Sequence, residues 1–473
     1  MKKLIALLFA LLLLPCCSLA EGFMSFTFGP EDAAETLTIC GSIPHDLFRE
    51  MYPDVALTIV YDNIGADTVV QALTNHDSTI DIYEIQADYV FARMLEKRLA
   101  ANLCVSEALS DEAERIDLAI LALLTDAEGW LRAYPSEIRL QRWYISEGLW
   151  RAVWGDEPMP TTVESLLTAW LDWEENHADD YPELAFIDGF RYDQWCELLI
   201  EQYALQYEQP GQSLDLNAPV LRRALELLGK INEARLRAGR PTTAEDYYDG
   251  WMEVAPIVTR GMGEQAMQTY FSFDSGLSPE LYGVEWRHLS ALPLTFAEGD
   301  PLKYHAAMTV CVVNPYSAHQ ETALRFMECA TQVQNNPYLA YAIHPELTEP
   351  YEDPDHERWV SIFQESVEEA EAALEAGDIA DRPELEEALT RAVYQLEQVE
   401  QDRWLISEED MADYRAISGQ LDFHTQSFYS GARNNAQTLI HQLCARYCAG
   451  NTSLDLFLSE LTNRMAMMAL ENE

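Results

Sequence analysis

Basic residues are scarce in this chain: 30 Lys and Arg stand against 80 Asp and Glu, a formal net charge of −50. Such a balance excludes nucleic acid and anionic membrane surfaces as partners, because both are polyanions. Long apolar runs are also missing. The only one is Leu4–Leu14, too short to span a bilayer and shaped as the core of a secretory signal. Lys2 and Lys3 precede it and Ser18-Leu19-Ala20 follows as a small-x-small cleavage site before Glu21. Export is therefore expected, with residues 1–20 removed. Cys16 and Cys17 offer lipid attachment at a cysteine, although Pro15 stands where a lipobox wants a small residue. Cysteine is sparse beyond them: Cys40, Cys104, Cys196, Cys311, Cys329, Cys444 and Cys448. An odd number at wide spacing is no disulfide framework. Cys444 and Cys448 lie one helical turn apart, but nothing near them in sequence completes a zinc site, so buried thiols are expected.

Catalytic signatures are absent as well. No G-x-S-x-G, HExxH or phosphate-binding glycine loop occurs, and the ten histidines do not cluster. The run Asp353-x-Asp355-His356-Glu357 lacks the glycine and the distal glutamate of a calcium loop and reads as a polar loop. No cofactor and no metal site is expected. The acidity reads as a solvated surface, leaving a site for cations and a salt-rich habitat as alternatives.

What is present is alternation. TLTIC (Thr36–Cys40), VALTIVYD (Val55–Asp62) and IDIYEI (Ile80–Ile85) are short apolar runs rich in β-branched residues, and they predict strands. Pro44–Met51 and Ala66–Leu73 between them carry apolar residues at helical spacing. Strand and helix in this order predict an α/β fold with a parallel sheet, whose ligands bind beyond the carboxyl ends of the strands. Further on, Asp111–Leu124 reads as a helix or a strand pair. Thr161 or Thr162 caps a helix carrying Leu166, Leu167, Trp170 and Leu171 on one face. Leu184–Ile187 reads as a strand, Tyr192–Tyr207 and Ala218–Arg237 as helices, Glu264–Phe273 and Met308–Val313 as strands, and Gln320–Thr331 as a helix. Glu357–Glu400 is dense in Glu and Ala and predicts a helical pair broken near Gly377–Pro383, its glutamates on a solvated face. Asn434–Leu470 predicts two helices hinged at Gly450-Asn451, with Thr452 or Ser453 capping the second. Trp143, Trp150, Trp154, Trp170 and Trp173 are expected in packing rather than at a ligand. The aromatic and acidic cluster Tyr247–Trp251 reads as a packed loop.

Five local patterns in this order resemble the extracellular solute-binding proteins of ABC importers, the family that includes maltodextrin binders. They are DIYEIQADYVFARMLEKRLAANL (Asp81–Leu103), LRAYPSEIRLQRWYISEGLW (Leu131–Trp150), PMPTTVESLLTAW (Pro158–Trp170), TRGMGEQAMQTYFSF (Thr259–Phe273) and AAMTVCVVNPYSAHQETALRFMECA (Ala306–Ala330). The resemblance implies a two-lobed periplasmic-binding-protein-like α/β fold with a hinge of crossing segments and a helix-rich C-terminal part. Residues 21–136 and 271–328 would form lobe 1; residues 137–270 and 329–473 would form lobe 2, with extra helices near 357–400. It further implies a non-enzymatic monomer, exported or held at the cell surface, that captures a small solute and passes it to an ABC permease. A sugar or oligosaccharide is the expected solute. A secreted carbohydrate hydrolase using paired carboxylates is the alternative.

Position along this framework nominates the ligand residues. Gly41 and Ser42 follow the first strand, Asp62 and Asn63 end the second, and Gln86, Asp88 and Tyr89 follow the third. Asp188, Arg191 and Tyr192 follow a strand at the matching place in lobe 2; Phe271, Phe273 and Asp274 lie on the second crossing. Phe428 and Tyr429 fall where sugar binders of the family offer a late aromatic. Several of these have rival roles: Asp88 can cap a helix, Arg191 can pair with Asp188 or Asp193, and Tyr89, Tyr192 and Tyr429 can be half-buried packing aromatics.

Overall fold

A computed structural model describes residues 24–61, 65–187, 191–209, 214–240, 254–265, 271–272, 280–286, 288–376, 382–401, 403–423 and 439–472. The expected signal with Cys16 and Cys17, and the Tyr247–Trp251 cluster, lie outside them. The chain divides into two compact units. The first comprises Met1–Glu137, Met308–Asn336 and Thr425–Asn434; the second comprises Ile138–Ala307, Pro337–His424 and Asn435–Glu473. Among the described residues no helix is long and apolar enough to cross a membrane.

In the first unit, β1 (Met24–Phe28), β2 (Glu35–Cys40), α1 (Asp46–Met51), β3 (Val55–Tyr61), α2 (Ala66–Thr74), β4 (Ile82–Gln86) and α3 (Tyr89–Glu96) follow one another. β2 pairs in parallel with both β3 and β4, so the predicted alternation is observed. β4 continues antiparallel onto the end of the strand Tyr304–Val313, with Val310 opposite Ile85 and Val313 opposite Ile82. Leu37, Ile39, Leu57, Ile59, Ile82 and Val310 are almost wholly buried, which accounts for the apolar runs visible in sequence. Helices cover the sheet: Phe48 of α1 packs on Phe326 of the helix Gln320–Ala330 at 5.2 Å between ring centres. Asp111–Leu124 resolves as two helices, α4 (Glu107–Ala113) and α5 (Leu118–Leu124), each begun by an N-cap, Ser106 and Asp117. β1 was not foreseen. It pairs antiparallel with β3 at the sheet edge and is mostly exposed, so its sequence carries no burial signature.

In the second unit, β5 (Tyr134–Ile145, entering from the first unit), α6 (Glu147–Trp154), α7 (Val163–Asp172), β6 (Leu184–Ile187), α8 (Tyr192–Tyr207), α9 (Pro219–Arg237) and β7 (Ala255–Gln265) form the framework. β6 pairs in parallel with β7, and β7 antiparallel with β5. β7 begins at Ala255, well before the strand expected at Glu264–Phe273. Pro256 breaks the apolar pattern there, yet it sits one residue into the strand, where a missing N–H is tolerated. Thr162 caps α7 in a capping box with Ser165, a motif that satisfies two otherwise unpaired backbone donors.

The tryptophans form this unit's core. Trp170 stacks on Phe186 at 5.7 Å and meets Trp195 edge-on at 4.8 Å, and Trp150 stacks on Trp154 at 4.3 Å. Beside them lies a buried charge. The Glu174 side chain has no exposure and accepts from Arg235 at 2.5 Å, Arg240 at 2.7 Å and the Trp170 indole at 3.1 Å. These bonds tie the turn after α7 to the end of α9.

Toward the C-terminus, α10 (His356–Ala376) and α11 (Arg382–Gln401) pack on each other, as the Glu-rich stretch predicted. No described residue of α10 is buried. The polar run before α10 is a turn, in which the Asp353 carboxylate accepts the Asp355 N–H, and the Asp355 carbonyl accepts the Trp359 N–H as the helix begins. Further along, α12 (residues 439–448) is followed by α13 (Leu454–Asn472), begun by Ser453.

Replacing Glu174 removes the buried carboxylate that Arg235 and Arg240 share, and leaves Arg240 with Asp179 alone of its two acidic partners. Glu174→Ala should therefore cost about 3–5 kcal/mol in urea denaturation; a loss below about 1 kcal/mol would mean the cluster behaves as a surface pair.

Candidate functional site

The carboxyl ends of β2 and β4 lie side by side in the first unit. Register sets Cys40 beside Tyr83, which brings the next pair, Gly41 and Glu84, into contact. The Ser42 N–H donates to Glu84 Oε2 at 2.6 Å, and the Ser136 hydroxyl donates to Oε1 at 2.7 Å. Both oxygens of Glu84 thus hold the turn after β2 against β4. Gly41 makes this possible. Its φ is +144°, and a Cβ there would fall 2.4 Å from the Cβ of Glu84.

Side chains alternate along β4. Tyr83 and Ile85 point into the core, while Glu84 is half-buried and Gln86 exposed on the other face. Beneath Glu84 lies the buried thiol of Cys311, opposite it in the sheet. Burial pushes this thiol well up, with the nearby Glu84 charge adding to the effect. It stays protonated at neutral pH and serves as packing.

Asp88 and Tyr89 open α3. Asp88 is 6 % exposed, and its Oδ1 accepts the N–H groups of Val90 at 2.9 Å and Phe91 at 3.1 Å. It is a helix cap. Tyr89 is half-buried, with the Arg93 guanidinium 5.9 Å from its ring centre. Backbone at Gly41-Ser42, an amide at Gln86 and an aromatic ring at Tyr89 therefore share the strand-end edge of this unit. Such a set can hydrogen-bond hydroxyls and offer a flat apolar face.

In the second unit, Arg191 and Tyr192 follow β6 at the start of α8. Arg191 donates to Asp193 at 3.1 Å, the local pairing anticipated from sequence. The Tyr192 side chain is packed inward: its ring centre lies 6.4 Å from that of Tyr447, and its hydroxyl lies 3.3 Å from where a Cβ on Gly229 would stand. Phe271 lies in the short strand Phe271–Ser272. Asp62, Asn63, Asp188, Phe273, Asp274, Phe428 and Tyr429 lie outside the described residues. Among the described residues no group of His, Cys, Asp and Glu is arranged to hold a metal ion.

Sequence reasoning missed Glu84 and Ser136. The signal for Glu84 was there, a lone acid in the otherwise apolar end of IDIYEI; nothing local marks Ser136, which arrives from a strand distant in sequence.

No family model matches the chain, and no curated protein matches it in sequence. Solved structures do match its fold. The maltose-bound MalE3 of T. maritima is 14% identical with a TM-score of 0.51, over 92% of this chain and 100% of its own. An ABC transporter solute-binding protein from Agrobacterium radiobacter K84, in complex with ribitol, is 12% identical with a TM-score of 0.53, over 92% and 99%. The galacto-N-biose-/lacto-N-biose I-binding protein of the ABC transporter from Bifidobacterium longum, in complex with lacto-N-biose, is 12% identical with a TM-score of 0.52, over 94% and 98%. At these identities the likeness is one of fold: the chain has the α/β fold of periplasmic-binding-protein-like proteins.

Gly41→Ala should push Glu84 off the Ser42 N–H and strain the turn. We expect a loss of roughly 1–3 kcal/mol in chemical denaturation, and unchanged stability would show that the turn relaxes freely.

Proposed function

We propose that this protein is an exported solute-binding protein that captures a sugar or oligosaccharide and delivers it to an ABC permease. The observation that carries the reading is the fold match over more than nine-tenths of the chain to proteins solved with maltose, ribitol and lacto-N-biose. The strand-end edge of the first unit supports it chemically. Gln86 is exposed and free of the core, Ser42 is exposed with its N–H held by Glu84, and Tyr89 offers a ring. Uncharged hydroxylated ligands suit this mixture better than anions, which the acidic surface would repel.

In this reading Gly41, Ser42, Gln86 and Tyr89 contact the solute directly, while Asp88 acts through the cap that orients Tyr89. Asp62, Asn63, Asp188, Arg191, Phe271, Phe273, Asp274, Phe428 and Tyr429 are the further contacts proposed from sequence. Tyr192 supports the start of α8 rather than reaching solute with its hydroxyl. The protein works as a carrier and leaves its ligand chemically unchanged.

The test is a thermal-shift screen of the protein against mono- and oligosaccharides, polyols, polyamines and short peptides. A saccharide or polyol at a hundred times its dissociation constant should add about 2.7 kcal/mol of stability, with no consumption of the compound. Turnover of a glycoside would replace the reading with hydrolysis; a response to polyamines or peptides alone would replace the cargo. With the ligand in hand, Gln86→Ala and Tyr89→Ala should each weaken binding about tenfold, corresponding to about 1.4 kcal/mol, and leave the unliganded melting temperature unchanged.

A further inference from the structure

The pair α10 and α11 is built on a heptad. Val360, Phe363, Val367, Ala370 and Leu374 recur on α10 at alternating spacings of three and four, and the same spacing runs from Leu385 through Ala392 to Val399 on α11. These are the a and d positions of a two-helix coil. Residues 377–381 alone separate the helices in sequence, so the two run antiparallel. Their seam is left half open. All five residues on α10 are half-buried, and on α11 Ala392 alone is buried among the described residues. In a complete helix bundle such a seam forms the core.

The two sides of the seam differ in chemistry. In an antiparallel pair the g positions of both helices share one side and the e positions the other. On the e side stand Glu357, Glu371, Glu386 and Glu400, with Gln364 and Val393 between them. On the g side stand Trp359, Ser366, Ala373, Ala388 and Gln395, none of them charged. Trp359 is 41% exposed there, and Ile362, one turn on, is 38% exposed. Small side chains at Ser366, Ala373 and Ala388 let another helix approach the seam closely.

Charge selects the occupant. α10 carries six Glu and α11 five, against Arg358, Arg382 and Arg391. Each of these arginines pairs locally, with Asp355 at 3.8 Å, Glu386 at 3.0 Å and Glu387 at 3.4 Å. A second copy of the hairpin would bring the same glutamates and be repelled at neutral pH, whereas a cationic segment is attracted.

We propose that the uncharged side of the α10–α11 hairpin receives a third helix from a protein partner. That helix is amphipathic: its apolar stripe completes the seam, with Trp359 and Ile362 as anchors at one end, and Lys or Arg on its flanks meets the surrounding glutamates. The interaction requires no solute and stands apart from the sugar-binding reading.

The experiment titrates the full chain into a fluorescein-labelled helical peptide of about three heptads, with Leu at a and d and Lys at e and g, and follows anisotropy at physiological salt. Two further peptides serve as controls, one with the same residues shuffled and one with Glu in place of Lys. The ordered Lys peptide should bind at least about tenfold more tightly than the shuffled one, the Glu peptide should not bind, and added salt should weaken the complex. Ala373→Glu combined with Ala388→Glu places charge on the g side at two exposed helical positions and should weaken binding about tenfold. Val393→Glu, on the e side, should leave it unchanged. The proposal is overturned if no peptide binds, if the ordered and shuffled peptides bind alike, or if charge at 373 and 388 has no effect. Sedimentation that shows the chain self-associating through this side would replace the partner with a second copy. The peptide comparison on the unmodified chain decides the matter even if a variant fails to fold.

Discussion

The carboxylate of Asp81, 2 % exposed just before β4, accepts the Thr38 N–H of β2 at 2.7 Å and the Ser317 hydroxyl from the turn after the strand Tyr304–Val313. Asn314 of that turn donates to the carbonyls of Asp77 and Ile80, both at 2.8 Å, and its own N–H meets the carbonyl of Asp81. Three strands are thereby locked in register at their buried ends. A buried carboxylate is costly to leave unpaired, so this set of bonds tolerates one alignment. Side chains alternate along strands, and a slip of one residue would bring Tyr83 to the position of Glu84 and expose the core face. The Gly41–Glu84 contact, and with it the path of the turn at the strand ends, follows from an anchor placed at the opposite end of the same strands.

The second unit settles its core differently. Flat indoles fill the space between α6, α7, β6 and α8, and a buried carboxylate, Glu174, pairs with two arginines next to them. A chain with so few basic residues places two of them on one buried acid. The surplus of acid elsewhere stays on exposed faces such as those of α10 and α11, where the ion pairs Arg382–Glu386 and Arg391–Glu387 are exposed and weak.

Much of this was legible from local pattern. Three β-branched runs separated by helical spacing gave the parallel order of β2, β3 and β4, and Thr162, the Glu-rich pair and Ser453 were readable because caps and helix faces are local signals. What escaped has physical reasons. β1 is an exposed edge without alternation of burial, and Pro256 disguises the start of β7. Position nominated Asp88 for a ligand with a helix cap as its rival role, and its side chain caps α3. A contact made across a long separation, such as that of Ser136 on Glu84, leaves no trace in any window of sequence.

The pair α10 and α11 carries a consequence for how the molecule comes apart. No described residue of α10 is buried, and α11 is its main support. Helical stability in water comes chiefly from a packed apolar face, and α10 has little of one. Its amide protons are thus guarded by a local equilibrium rather than by global unfolding, so the pair opens and closes as a subunit of cooperativity many times for each excursion of the whole chain. The acidic arm breathes on its own clock.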